Sequence, residues 1–356
     1  MSFDISAIPG LRSFGRRFLP AVPSLPIPTG EQSHSHSFKL VHISDPHLSR
    51  QFYREHIKSF QLLLREIAEQ GCDHLLITGD IVSTADPDDY YLAREILLKF
   101  QLLSGSRLTV VPGNHDIFGG PHRAVDILSF PRHIRTLDYY KHLALFKEAF
   151  EESFEGSVQL FQGRRFPFLK VAGPFAILGL NSIPPWSLWN NPLGSNGMLD
   201  QPHVDCLRSL VSAESLRGLI PVVAIHHHFN DLASDGTPTN GVWKRIEQKT
   251  MRMKKRRMLV KLFKSIGVQY IFHGHIHRNE LYESQGIQFA NGAGAVCDDP
   301  VQFLKYNTLT YNSVDTSCRL DVRSLPIPFQ PALVPLSHRR SKNGLPLRRA
   351  FPATSS

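Results

Sequence analysis

Five short polar clusters recur along the 356-residue chain: Ser44-Asp45-Pro46-His47, Gly79-Asp80, Gly113-Asn114-His115-Asp116, His226-His227-His228 and Gly274-His275-Ile276-His277. Together they offer carboxylate oxygens, an amide oxygen and imidazole nitrogens, with no thiolate among them. That donor set suits borderline divalent ions such as Mn²⁺, Fe²⁺ or Zn²⁺ and disfavours a copper or iron–sulfur site. Asp45 and His47, like His275 and His277, stand two positions apart, so on an extended backbone each pair points to one side and can chelate. Gly79, Gly113 and Gly274 are expected in tight turns that bring backbone close to such ions. One Gly-Asp or one histidine would carry little, because a helix cap or a buried structural carboxylate looks the same. Five clusters in order are a different signal.

Each cluster closes a short apolar run of strand character. The runs FKLVHIS (38–44), HLLIT (74–78), RLTVV (107–111), LIPVVAI and VQYIFH precede the clusters in turn. Longer amphipathic stretches separate them: a helix through HIKSFQLLLREIAEQ stopped by Gly71, a helix through YYLAREILLKFQLL opened by Asp86 and Pro87, and a longer helix over 136–154. PFAILGLNS, IQFA and SCRLDVR are expected as further strands. Sheets covered by helices follow from this alternation, an α/β fold. Residues beyond the carboxyl ends of different strands can then converge on one pocket.

The flanks read differently. Residues 1–36 are rich in proline and serine without periodicity, and are expected to form a mobile arm; residues 324–356 are proline-rich and then basic, and are expected to form a surface tail. Prolines and polar residues interrupt any apolar segment after Arg12, Arg16 and Arg17, so export is not expected. No run approaches the roughly 18 apolar residues that span a bilayer, and a cytoplasmic protein is the expectation. Four cysteines without a C-x-x-C pair point to reduced thiols rather than a disulfide or zinc scaffold.

The clusters resemble the ordered pattern of the calcineurin-like metallophosphoesterase family: D-x-H, G-D, G-N-H-D/E, a histidine after a strand, and G-H-x-H. The resemblance covers residues 38–323. It implies a four-layer α/β/β/α sandwich around two mixed sheets, with two divalent metal ions at one edge. By the same resemblance Asp45, His47, Asp80 and His277 would bind one ion, Asp80, Asn114, His226 and His275 the other, and Asp80 would bridge them. His226 is preferred because it directly follows the strand, with His227 and His228 as alternatives. The implied reaction is hydrolysis of a phosphomonoester or phosphodiester by in-line attack of a metal-bound hydroxide. His115 would protonate the leaving group or stabilise transition-state charge, with Asp116 orienting it. Phe229 and Asn230 depart from a pattern that often has proline there.

The partner is expected to be an anionic phosphate-ester substrate, in keeping with a net charge of +9. Asn181-Ser182 followed by Gly197-Met198-Leu199 and Gln201 is similar to a stretch of cyclic-nucleotide-type members of the family. The PPWSLWNNP run places two tryptophans either on a substrate rim or over a core edge. Ten Lys or Arg fall between Lys244 and Lys264. They read either as the solvated face of a crossover helix or, with the basic tail, as a peripheral contact with an anionic membrane. The second reading would fit a membrane-surface pyrophosphatase acting on a nucleotide-linked lipid such as UDP-2,3-diacylglucosamine. A nuclease and a non-catalytic scaffold are further alternatives; nucleic acid would be attracted by the charge, but no aromatic stacking platform accompanies it.

Overall fold

The computed structural model describes residues 37–121, 124–211, 216–230, 251, 253–277, 279–292, 294–296 and 303–327. The arm over 1–36, most of the tail, Cys297 and residues 244–250 of the basic segment lie outside the described residues.

The first strand, β1 (Ser37–Ile43), is followed by α1 (Arg54–Gln70), β2 (His74–Ile77), α2 (Pro87–Lys99) and β3 (Leu108–Val110). Helix α1 forms because Phe60, Leu63, Leu64 and Ile67 recur at helical spacing and are all buried, and it stops at Gly71, whose φ of 81° suits glycine. Helix α2 opens on Asp86, whose side chain accepts from the Asp88 amide at 2.8 Å, with Pro87 at the first helical position.

The single helix expected over 136–154 is broken: α3 (Asn114–Phe118) leads into α4 (Ala124–Thr136), which ends where that helix was expected to begin, and α5 (Tyr139–Ala149) and a 3-10 turn at Glu151–Phe154 take up the rest. Asp138 breaks the run, because its carboxylate caps the next helix by accepting from the Lys141 amide at 3.1 Å. The chain continues through β4 (Ser157–Phe161), β5 (Arg164–Ala172), β6 (Phe175–Gly179), α6 (Gln201–Arg208), β7 (Ile220–Ala224) and α7 (Arg256–Ile266). It closes with β8 (Tyr270–His273), β9 (Asn279–Ser284), β10 (Ile287–Gly292), β11 (Phe303–Asn312) and β12 (Ser317–Pro326). Ser324 to Pro326, assigned from sequence to the tail, continue β12 and pair with Lys305 to Phe303, because the ladder with β11 runs on past Arg323.

Both sheets are mixed. One runs β12-β11-β1-β2-β3 with the last three parallel, and the other runs β4-β5-β6-β7-β8-β10-β9 with β6, β7, β8 and β10 parallel. Along β6 and β7 successive side chains take opposite faces. Phe175, Ile177, Val222 and Ala224 join the core that also holds Leu40, Ile43 and Phe60, whereas Ala176, Leu178 and Val223 join a second core with Val204 of α6 and Phe263 of α7. This is the four-layer α/β/β/α order. Helix α7 spends its apolar face on that second core and leaves Lys255, before it, and Arg257, Lys261 and Lys264 exposed. Among the described residues no helix is long and apolar enough to cross a membrane.

A buried polar link joins the two sheets. The Asn307 amide on β11 donates to His42 Nδ1 at 3.0 Å and to the Asn291 carbonyl on β10 at 3.0 Å, and His42 Nε2 reaches Thr78 Oγ1 at 2.8 Å. Burial holds the His42 pKa well below its ordinary value, so the ring is a neutral spacer with a fixed tautomer. Asn307→Ala would leave His42 without its donor and is expected to cost about 1–3 kcal/mol of stability. The measurement is a urea unfolding curve on metal-free protein; an unchanged midpoint would refute the assignment.

Candidate metal centre

The loops after β1 and β2 run side by side: the Asp45 amide donates to the Gly79 carbonyl at 3.0 Å and the His47 amide to the Asp80 carbonyl at 3.0 Å. The loop after β3 joins them through the His115 amide, which donates to Asp80 Oδ1 at 2.7 Å. The second sheet closes the ring. His226 Nδ1 donates to the Thr78 carbonyl at 2.7 Å, and the His275 amide donates to both Asp45 oxygens at 3.0 and 3.2 Å. Backbone thus fixes the carboxylates and one imidazole before any ligand enters. Gly113 is needed because a Cβ there would fall 2.1 Å from Asp80 Oδ1.

Three overlapping groups result: Asp45, His47 and His277; His47, Asp80 and His115; and Asp80, His226 and His275. In the first, His47 Nε2 lies 3.1 Å from His277 Nε2, and Asp45 Oδ1 lies 3.5 Å from His277 Nε2. In the third, His226 Nε2 lies 3.0 Å from His275 Nδ1, 3.2 Å from Asn114 Oδ1 and 3.4 Å from Asp80 Oδ2. Asp80 Oδ2 is also 3.8 Å from His47 Nε2, so that one oxygen faces both sets.

Of the two pairs expected to chelate, Asp45 and His47 fall in one group, whereas His275 and His277 do not. Asp45, His47, Asp80, His275 and His277 all have positive φ, between 46° and 78°. Such residues cost about 1–3 kcal/mol each and cluster at functional sites. The left-handed turns swing His275 and His277 apart, so they serve different groups rather than one chelate. Among the three consecutive histidines, His226 is the one directed at Asp80. His227 turns away, with Nδ1 at 2.8 Å from Ser182 Oγ and Nε2 at 3.1 Å from the Ser195 carbonyl.

Asp116 also departs from expectation. Its two oxygens accept from the Val82 amide at 3.0 Å and the Gly113 amide at 2.8 Å, so it braces the turn carrying Asn114 rather than the His115 ring. His115 instead has its Nδ1 3.4 Å from the Ser83 carbonyl and its ring edge-on to His47 at 4.6 Å. Three contributors were invisible in the sequence, namely the Ser83 carbonyl, the Thr78 carbonyl and the missing Cβ of Gly120. Main-chain groups and absent atoms carry no residue-type signature.

The donors fit divalent ions. Burial opposes charge on Asp80, but the imidazoles of His226, His115 and His47 hold its pKa well below the usual carboxylate range. Burial likewise disfavours charge on His226, yet Asp80 and then Asp45 raise its pKa to about 9. Carboxylates held ionised against crowded imidazoles can exchange a proton for a metal cation. Two imidazole lone pairs directed at each other need a cation or proton between them, and donors about 2.1 Å from one ion sit about 3.0–3.4 Å apart. Among the described residues, Nε2 of His275 is buried without a hydrogen-bond partner.

The family model described as calcineurin-like phosphoesterase matches residues 38–279. No curated protein matches the chain. Among solved structures, a dimetal phosphatase from Danio rerio is similar at 10% identity and a TM-score of 0.48, over 81% of this chain and 98% of that one. A putative 5'-nucleotidase from Staphylococcus aureus is similar at 14% identity and a TM-score of 0.44, over 83% of this chain and 55% of that one. A phosphopantetheinyl hydrolase from Mycobacterium tuberculosis is similar at 12% identity and a TM-score of 0.39, over 72% of this chain and 89% of that one. The family match takes in all five clusters whole; the chain belongs to the calcineurin-like phosphoesterases, metal-dependent hydrolases of phosphate esters.

Proposed function

We propose that the chain hydrolyses a phosphodiester or phosphomonoester with two divalent ions, Mn²⁺, Fe²⁺ or Zn²⁺. Asp45, His47, Asp80 and His277 hold one, and Asp80, Asn114, His226 and His275 the other. The observation that carries this reading is Asp80 Oδ2, which faces both groups while Oδ1 is tied to the His115 amide. When bound, such a pair of ions activates water and neutralises charge on the phosphate. His226 is kept in one tautomer by Thr78, leaving Nε2 as the ligand atom. His115 donates Nδ1–H to the Ser83 carbonyl, so the proton for the leaving oxygen is the second one, carried on Nε2 of the imidazolium, which returns to the neutral ring on giving it up. The test is metal analysis of the purified protein together with Mn²⁺-dependent hydrolysis of bis-p-nitrophenyl phosphate, p-nitrophenyl phosphate and cyclic nucleotides. A protein that binds no divalent metal and hydrolyses none of them with metal added is a scaffold instead.

Gly120 supplies a sharper check. A Cβ there would fall 2.1 Å from Cε1 and 2.4 Å from Nδ1 of His115, so Gly120→Ala must push the imidazole aside. Turnover of alkyl phosphate esters, whose leaving oxygens need a proton, is expected to fall at least about tenfold, a fraction of what a full general acid supplies. Nitrophenyl esters should change little and metal content not at all. Equal losses on both ester types would mean that the variant disturbs more than proton transfer.

A further inference from the structure

The loop from Asn181 to Gly197 is anchored at its base and exposed at its tip. Its base is buried: the Asn181 amide donates to Tyr139 Oη at 3.0 Å, Ser182 Oγ meets His227, and the Met198 amide donates to the Ser182 carbonyl at 2.9 Å. The stretch that resembled cyclic-nucleotide-type members is therefore used on the loop's own frame. Asn191, fully buried, spans the interior by donating to the Pro184 carbonyl at 3.0 Å and accepting from the Asn196 amide at 3.0 Å. Trp186 packs inward on the main core beneath the Arg135 guanidinium, 5.6 Å from its ring centre. One tryptophan of the run thus covers a core edge.

The other does not. Trp189 is 86% exposed and Leu188 62% exposed, and Leu193 beside them is also exposed. A loop braced by internal hydrogen bonds holds these side chains in water, where an unbraced loop would fold them under. Lys254 Nζ clamps the tip by donating to the Asn190 carbonyl at 2.7 Å, and Lys255 and Arg257 follow it, exposed, where the chain enters α7. An amphipathic indole and a leucine beside a cationic flank match the chemistry of a lipid–water boundary bearing negative headgroups. The net charge of +9 adds long-range attraction to the same surface.

We propose that the tip formed by Leu188, Trp189 and Leu193 seats the protein on an anionic lipid surface, with Lys255 and Arg257 meeting headgroup phosphates. None of these five residues is among the metal-holding ones, so the contact can fail without affecting the hydrolytic reading, and the reverse holds too. The experiment is flotation of the full chain with vesicles of phosphatidylcholine alone and of phosphatidylcholine mixed with phosphatidylglycerol at moderate salt. Binding is expected on the mixed vesicles only. Leu188→Ser with Trp189→Ser should weaken it at least about tenfold, and Lys255→Glu with Arg257→Glu about fivefold per charge removed. Trp189→Phe should remove the blue shift of tryptophan emission that vesicles induce in the parent protein. All these variants should hydrolyse soluble bis-p-nitrophenyl phosphate like the parent, which also shows that they fold. Failure of the parent to float on anionic vesicles, equal binding to phosphatidylcholine alone, or undiminished binding of the double serine variant would overturn the proposal.

Discussion

Asp80→Asn is expected to lower turnover by more than about a hundredfold, because even partners one shell removed from a metal typically cost 10–100-fold when changed, and this residue faces both groups. Asparagine keeps the size of the side chain and tolerates the left-handed backbone, with φ of 50°. What it removes is one negative charge and the equivalence of the two oxygens. The amide oxygen can still accept from the His115 amide, now 2.7 Å from Oδ1, but the nitrogen would then stand where Oδ2 faces His226 at 3.4 Å and His47 at 3.8 Å. A donor NH₂ cannot ligate a cation there. Metal content measured on the purified variant should fall from two ions per chain toward one or none, with far-UV circular dichroism unchanged. A variant that retains two ions and parental turnover would remove Asp80 from the centre of the proposal.

How far the sequence revealed this arrangement depended on what kind of signal each part leaves. The donors were legible because each sits just past an apolar strand and each has a side chain suited to a cation. Their division between two groups came only with the family resemblance; spacing alone would have paired His275 with His277, because it does not encode the positive φ at Asp45, His47, His275 and His277. Strands β2, β3, β7 and β8 are short, continuous apolar runs buried on both faces, so they were readable. Strand β9, NELYES, is polar and only half-buried at the sheet edge, and it left no such run. The break at Asp138 was missed because an aspartate within an amphipathic pattern reads equally as a surface residue and as a cap. Asp116 was expected, through the family resemblance, to orient the His115 ring, but α3 starts at Asn114, so the carboxylate folds back on the Gly113 amide.

His115→Ala separates metal holding from proton transfer. The backbone amide that positions Asp80 Oδ1 survives the change, as do Asn114 and the Asp116 brace, so two ions per chain are expected to remain. What is lost is the imidazole whose Nδ1 faces the Ser83 carbonyl. General acid catalysis typically contributes 10²–10⁴-fold, and a loss of about that size is expected for esters with alkoxide leaving groups. The loss should shrink for p-nitrophenyl esters, whose leaving oxygen departs readily without a proton. A plot of log turnover against leaving-group pKa should therefore be steeper for the variant than for the parent, and added imidazole should partly restore the slow esters. His115→Asn controls for the edge-on packing against His47, because it keeps a polar group of moderate size but cannot pass a proton. If both variants hydrolyse alkyl esters at the parental rate, another group protonates the leaving oxygen. If both lose their metal, His115 holds the centre together instead, and its place in the group with His47 and Asp80 is that of a ligand.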